Sequence, residues 1–158
     1  MGVEIERKFL VNHEKWNSIE KPEGETIEQK YIVNDGEKNI RVRIKGNKGF
    51  ITIKSKKSGL KRSEFEYEIP IKDALELMNS FSGGRITKTR YKLKCEEKLW
   101  EVDEFHDENE GLIVAEIELR SEEETFGVPG WIEKEVTQDA RYSNSHLAKK
   151  PFKSWNKT

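Results

Sequence analysis

Eight short runs of this sequence alternate between apolar and charged side chains, and within most runs the charges on one face keep a single sign. A period of two belongs to a β-strand, because successive side chains leave opposite faces of the pleated backbone. Such runs are read at residues 2–11, 26–34, 38–46, 49–57, 60–70, 84–95, 98–106 and 112–120. Between them lie residues that tolerate positive φ: Asn34-Asp35-Gly36, Gly46-Asn47-Lys48-Gly49, Ser58-Gly59 and Asn109-Glu110-Gly111. Connections this short imply antiparallel hairpins. Pro70 closes one strand, and Asp73 then offers an N-cap to a helix whose Ala74, Leu75, Met78 and Phe81 recur at helical spacing before Gly83-Gly84 end it. A second helix is expected from Asp139 towards Lys149. With no repeat and no linker, residues 1–150 read as one domain, and residues 151–158 as a loose C-terminal tail.

Parity sorts each strand into two faces. Glu4, Glu6 and Lys8 oppose Val3 and Ile5; Arg41, Arg43 and Lys45 oppose Ile40, Val42 and Ile44; Thr52, Lys54 and Lys56 oppose Ile51 and Ile53. Arg62, Glu64, Glu66 and Glu68 face away from Phe65, Tyr67 and Ile69, and Lys88, Arg90, Lys92 and Lys94 alternate with Thr89, Tyr91 and Leu93. Glu101 and Asp103 alternate with Trp100 and Val102, and Glu116 and Glu118 with Ala115, Ile117 and Leu119. A sheet with one wet face gives alternation too, but a solvated face intersperses its signs because neighbouring like charges repel. Carboxylates at i and i+2 stand about 6 to 7 Å apart on one face, close enough to share cations once several strands converge. Basic pairs at that spacing can grip successive phosphates of a chain. A closed eight-stranded antiparallel β-barrel turns both sets into one polar lumen, with its apolar outer wall covered by a few short helices, those near 73–82 and 139–149.

Composition fits that inversion. Charged residues make up 37% of the 158-residue chain, against about 25% in an ordinary globular domain. Yet 29 Lys and Arg stand against 30 Asp and Glu, a net charge of -1, which argues against a nucleic-acid-coating protein. No run approaches a membrane span, and the first residues lack the apolar core of a signal peptide, so the chain reads as cytoplasmic. Glu6 stands where a myristoylation signal needs Ser or Thr. One cysteine, Cys95, on the outward parity, and three scattered histidines give no disulfide, no thiolate or imidazole metal site and no nucleophile with a base. A bound metal is therefore expected on carboxylate oxygens.

The sequence Glu4-Ile5-Glu6-Arg7-Lys8 resembles the ExExK signature of the CYTH superfamily, the triphosphate tunnel metalloenzymes. In order behind it come Gln29-Lys30-Tyr31, Arg41-Val42-Arg43, Thr52-Ile53-Lys54, Arg62-Ser63-Glu64-Phe65-Glu66, Lys88-Thr89-Arg90-Tyr91, Val102-Asp103, Ala115-Glu116-Ile117-Glu118, Val136-Thr137 and Arg141-Tyr142-Ser143-Asn144, all similar to the family's motifs. The resemblance implies an eight-stranded tunnel that binds a triphosphate with one or more divalent cations, Mg2+ or Mn2+. It implies phosphate binding by Lys8, Arg41, Arg43, Lys54, Arg62, Lys88 and Arg90, and metal binding by Glu4, Glu6, Glu64, Glu66, Asp103, Glu116 and Glu118. Glu4, Glu6, Lys8, Glu116 and Glu118 are the catalytic candidates, Glu68 and Glu101 possible additions, and Tyr31, Tyr142 and Asn144 are read as structural.

The implied activity is metal-dependent hydrolysis of a phosphoanhydride in a small anionic substrate, inorganic triphosphate first. An organic triphosphatase, a class IV adenylyl cyclase and a non-catalytic polyphosphate-binding module are the alternatives. The thin apolar exterior makes a homodimer plausible.

Overall fold

The computed structural model describes residues 2–35, 38–56 and 58–155. Strands β1 (Gly2–Val11), β2 (Glu25–Asn34), β3 (Asn39–Lys45), β4 (Lys48–Lys54), β5 (Lys61–Ile69), β6 (Arg85–Cys95), β7 (Lys98–Phe105) and β8 (Ile113–Glu118) lie within a few residues of the expected runs. Gly36 of the first turn, Lys57 at the end of the fourth run and Asn156, Lys157 and Thr158 of the tail lie outside the described residues. The antiparallel order β5-β4-β3-β2-β6-β7-β8-β1 closes on itself because β1 also pairs with β5, Glu4 opposite Arg62. The result is a closed eight-stranded barrel. A ninth strand, β9 (Ile132–Glu135), adds to the second half of β1, with Phe9 opposite Glu135.

The apolar side chains of the wall do turn outward, and separate layers cover them. Helix α2 (Ile71–Ser80) lays Ala74 and Met78 on Val42, with Ile32, Ile44 and Ile69 around them. Its close approach needs Gly49, where a Cβ would stand 2.5 Å from that of Ala74. Asp73 is not the cap: the helix enters from Pro70, which makes no side-chain cap bond, and Asp73 lies in the first turn, where its charge favours the positive helix end. The largest cover was not anticipated. It is built from α1 (His13–Asn17) and the segment before β9, which place Trp16, Trp131 and Phe126 against Phe9, Trp100, Ala115 and Ile117. The rings meet edge to face, Trp16 and Trp131 at 5.2 Å.

The expected C-terminal helix is broken, and it does a different job. Residues Ala140–Tyr142 form a 3-10 turn whose cap, Asp139, accepts from the Arg141 amide. Ser143 then goes extended and caps α3 (Asn144–Lys149) through its hydroxyl on the His146 amide. Rather than covering the wall, α3 closes one end of the barrel. There the inner faces turn apolar: Tyr31, Ile86, Phe105, Leu112 and Val114 pack with Leu147 of α3 into a plug. Gly84 permits the closure, since a Cβ there would collide with the Ala148 carbonyl. The stretch read as a loose tail folds back in part, with Phe152 and Trp155 packed on the same plug. The outer face of β5 stays bare: Val3, Ile53, Phe65 and Tyr67 are exposed on adjoining strands.

Candidate active site in the barrel lumen

Above the plug lies a cavity of about 410 Å³. Strand order arranges its lining into opposed walls. Neighbouring strands β8, β1 and β5 carry Glu116 and Glu118, Glu4 and Glu6, and Glu64 and Glu66, while β3 and β6, flanking β2, carry Arg41, Arg43, Lys88 and Arg90. Lys8 and Arg62 stand within the acidic wall, and Lys54 links the two, 3.4 Å from Glu4 and 3.3 Å from Glu64. All the expected phosphate binders line this one cavity, as do all the expected acids except Asp103. Glu101 joins it and lies 3.2 Å from Arg90, whereas Glu68 is exposed and does not line it.

Asp103 lies beneath the surface of the cavity, almost wholly buried. Arg90 donates to both its oxygens, at 2.8 and 2.9 Å, and Lys88 approaches one at 2.8 Å. Burial alone would raise its pKa, but those two cations hold it well below the usual carboxylate range. Its oxygens are thus committed to orienting two basic groups.

The cations carry the strain of dehydration. Burial, then repulsion from Arg41 and Arg90, lowers the pKa of Arg43 to about 9. Burial draws Lys88 down to about 7 even against the pull of Asp103. Arg41 donates to Thr52 at 3.2 Å, and among the described residues its buried Nε has no hydrogen-bond partner. An unsatisfied buried donor is costly, and a phosphate oxygen in the cavity would meet it.

Crowding dominates the other wall. Burial, followed by Glu116 and Glu4, pushes Glu6 well above the ordinary glutamate range, while Glu4 is raised by burial against the opposing pull of Lys54. Glu116 goes the other way. Burial would raise it, but Lys8, Arg90 and a hydrogen bond with Glu6 bring it to about 2. Of these two carboxyls, protonation is thus favoured on Glu6 and ionisation on Glu116. Among the described residues no three His, Cys, Asp or Glu side chains are gathered into a finished cation site. The wall does fit a hard cation that keeps waters and takes substrate oxygens, because a dication would relieve the repulsion among Glu4, Glu6 and Glu116.

Several lining residues escaped the sequence reading. Asn39, Leu99, Ser143 and Ser145 line the cavity, and Gln29, fully buried and not itself part of the lining, accepts from Arg43 Nε at 3.0 Å. Asn144, read as structural, also faces the cavity. The usable signal was parity: Gln29 shares the face of Tyr31, and a buried amide in mid-strand needs partners.

A closed antiparallel barrel with acidic and basic walls across one lumen defines a class of tunnel proteins built to hold a polyanion together with cations. The chain belongs to the CYTH domain family, which matches residues 2–150. It is 46% identical to an inorganic triphosphatase of Acetivibrio thermocellus, over 98% of this chain and 99% of that protein. It is 36% identical to an inorganic triphosphatase of Nitrosomonas europaea, over 92% and 96%. A crystal structure of an inorganic triphosphatase superposes with a TM-score of 0.65 at 33% identity, covering 92% of this chain and 93% of that one. Membership of this family of triphosphate tunnel metalloenzymes implies a divalent metal.

Proposed function

We propose that this protein hydrolyses a phosphoanhydride bond of inorganic triphosphate, with Mg2+ or Mn2+ bound alongside the substrate. The observation that carries the reading is the opposition of the two walls across one cavity. Arg41, Arg43, Lys88 and Arg90 bind and orient the phosphate chain, the guanidinium groups through paired N–H donors and the ammonium as a point charge. Glu4, Glu6, Glu64, Glu66, Glu116 and Glu118 are the residues to hold the cation, with Lys8, Arg62 and Lys54 offsetting their charge. When bound, the metal supplies Lewis-acid stabilisation of the charge that develops on the phosphoryl oxygens. A carboxylate of the Glu4/Glu6 or Glu116/Glu118 pair orients the attacking water and takes its proton, and no covalent nucleophile is needed.

The lining favours an inorganic substrate over a nucleotide or thiamine ester. Among the described residues it is charged or polar apart from Leu99 and Tyr31, so it provides no apolar slot for a nucleobase. We extend the proposal to a cytoplasmic enzyme that acts as one CYTH unit over residues 1–150 and binds neither nucleic acid nor membrane. The near-zero net charge supports the former, and no helix among the described residues is long and apolar enough to cross a membrane. The exposed strip of Val3, Ile53, Phe65 and Tyr67 supports a homodimer, which sedimentation would measure.

The deciding experiment incubates the purified protein and either cation with tripolyphosphate, pyrophosphate, ATP or thiamine triphosphate. Orthophosphate and pyrophosphate from tripolyphosphate are expected. Cyclic AMP from ATP would replace this reading with a cyclase, and binding without turnover would leave a polyphosphate-binding module.

A further inference from the structure

The basic wall is held in place by two neutral amides, one of them brought in by the segment that closes the barrel. Asn144, the first residue of α3, accepts from Lys88 Nζ at 2.8 Å and from Gln29 Nε2 at 3.3 Å. The Gln29 carbonyl in turn accepts from Arg43 Nε. Lys88 and Gln29 are fully buried and Arg43 nearly so. One side chain from the C-terminal segment is thus joined through hydrogen bonds to two phosphate-binding cations on different strands, β6 directly and β3 through β2. The helix carrying it is fixed independently, by the Ser143 cap and by Asn34 Nδ2 donating to the Ser145 carbonyl at 2.8 Å.

The donor inventory shows what this leaves free. An ammonium has three N–H donors, of which Lys88 directs two to Asp103 and Asn144. A guanidinium has five; the Nε–H of Arg43 goes to Gln29, and among the described residues its terminal nitrogens have no hydrogen-bond partner. Like charges crowd here, since Arg41, Arg43 and Arg90 lie close enough to perturb one another. Asp103 already meets Lys88 and Arg90 with one carboxylate, so a further fixing group must add no more negative charge. A carboxylate at position 29 or 144 would fix them and also compete with the anion they are meant to hold. An amide oxygen fixes Lys88 and Arg43 and adds no negative charge.

We infer that Asn144, acting with Gln29, is a positioning residue that fixes Lys88 and Arg43 for the phosphate chain without adding negative charge to that of Asp103 beside Lys88. The inference rests on the triphosphatase reading for its substrate. Because the basic wall grips the anion in ground and transition states alike, its disturbance falls on KM more than on kcat.

Tripolyphosphate is the probe, in two assays: steady-state hydrolysis with Mg2+, and calorimetric binding to the metal-free protein. Asn144→Ala is expected to raise KM about tenfold and weaken metal-free binding by a similar factor, with kcat within about threefold, as the loss of a hydrogen bond to a charged group implies. Gln29→Ala is expected to do the same, and the double variant to be no worse than the weaker-binding single variant, because both cut one chain of bonds. Asn144→Asp keeps an acceptor in place, so its thermal midpoint stays near that of the parent while its affinity for tripolyphosphate falls because a second carboxylate then stands beside Lys88. Additive losses in the double variant, an unchanged KM in Asn144→Ala, or parental affinity in Asn144→Asp would each overturn the inference. Failure of the parent protein to turn over tripolyphosphate would sink the proposed function instead, and the binding assay would still decide the role of Asn144.

Discussion

The two ends of the barrel interior are built from the same faces of the same strands, yet they have opposite chemistry. On β8 the inward face runs from Val114 in the plug to Glu116 and Glu118 in the cavity; on β6 it runs from Ile86 to Lys88 and Arg90; on β1, from Leu10 to Lys8 and Glu6. The plug depends on burial and shape. The cavity depends on charges that would be more stable in water. Each end needs the other, because the apolar floor keeps solvent away from Lys88 and Arg43, and low polarity strengthens every interaction those cations make with an anion. The lesson is that depth along a strand, as well as parity, decides what a lumen residue does.

The contrast can be broken at the charged end first. Glu4→Ala or Glu116→Ala should lower metal-dependent phosphate release by at least about a hundredfold, as expected for loss of a group that stabilises transition-state charge, while circular dichroism shows a folded barrel. Turnover like that of the parent would remove the metal role assigned to the acidic wall. At the apolar end, Leu147→Ala should cost about 2 to 4 kcal/mol of stability from lost burial and the cavity left behind, measured by chemical denaturation.

A pH titration tests the two ends together. The pKa of Glu6 is raised above 4.5 on folding, so its contribution to stability is fully present below that value and is lost as pH rises through the folded pKa. Glu116 and Asp103 are depressed, so their contributions are present above the ordinary carboxylate range and are lost as pH falls through their lower folded values. The metal-free protein should therefore lose thermal stability as pH climbs from the ordinary glutamate range through the raised Glu6 value, and added Mg2+ should restore it by taking the place of the proton. A midpoint that rises with pH in that window without metal would contradict the raised pKa of Glu6. The smallest effect belongs to Glu68→Ala, expected to change stability by less than about 0.5 kcal/mol and to leave kinetics unaltered; a marked loss of activity would place Glu68 in the site.

Most of the wall was legible in the sequence because a barrel strand must declare both faces at every second residue. The same rule exposed the charged lining, residue by residue, from Glu4 to Glu118. Other features obey no period. The cover formed by Trp16, Phe126 and Trp131 comes from a five-residue helix and an irregular segment, whose packing is decided by distant partners. The hairpin between β6 and β7 turns through Glu96 and Glu97, both at positive φ, where composition would favour Asn or Gly. Ser143 interrupts the C-terminal helix because its hydroxyl caps the turn that follows. The amide chain from Asn144 to Arg43 joins residues that only closure of the barrel end brings together.

Closure has a kinetic side as well. Strand β1 pairs with β5 near residue 62, with β8 near residue 116 and with β9 near residue 135. The local hairpins from β2 to β5 can form early, but β1 must wait for β5, about 60 positions away, and for β8, more than 100 positions away. Such long-range pairing slows folding and leaves strand edges open in the interval. A pulse-labelling experiment should accordingly find the amides of β1 protected last, so that both walls of the cavity acquire their facing charges only in the final step of assembly.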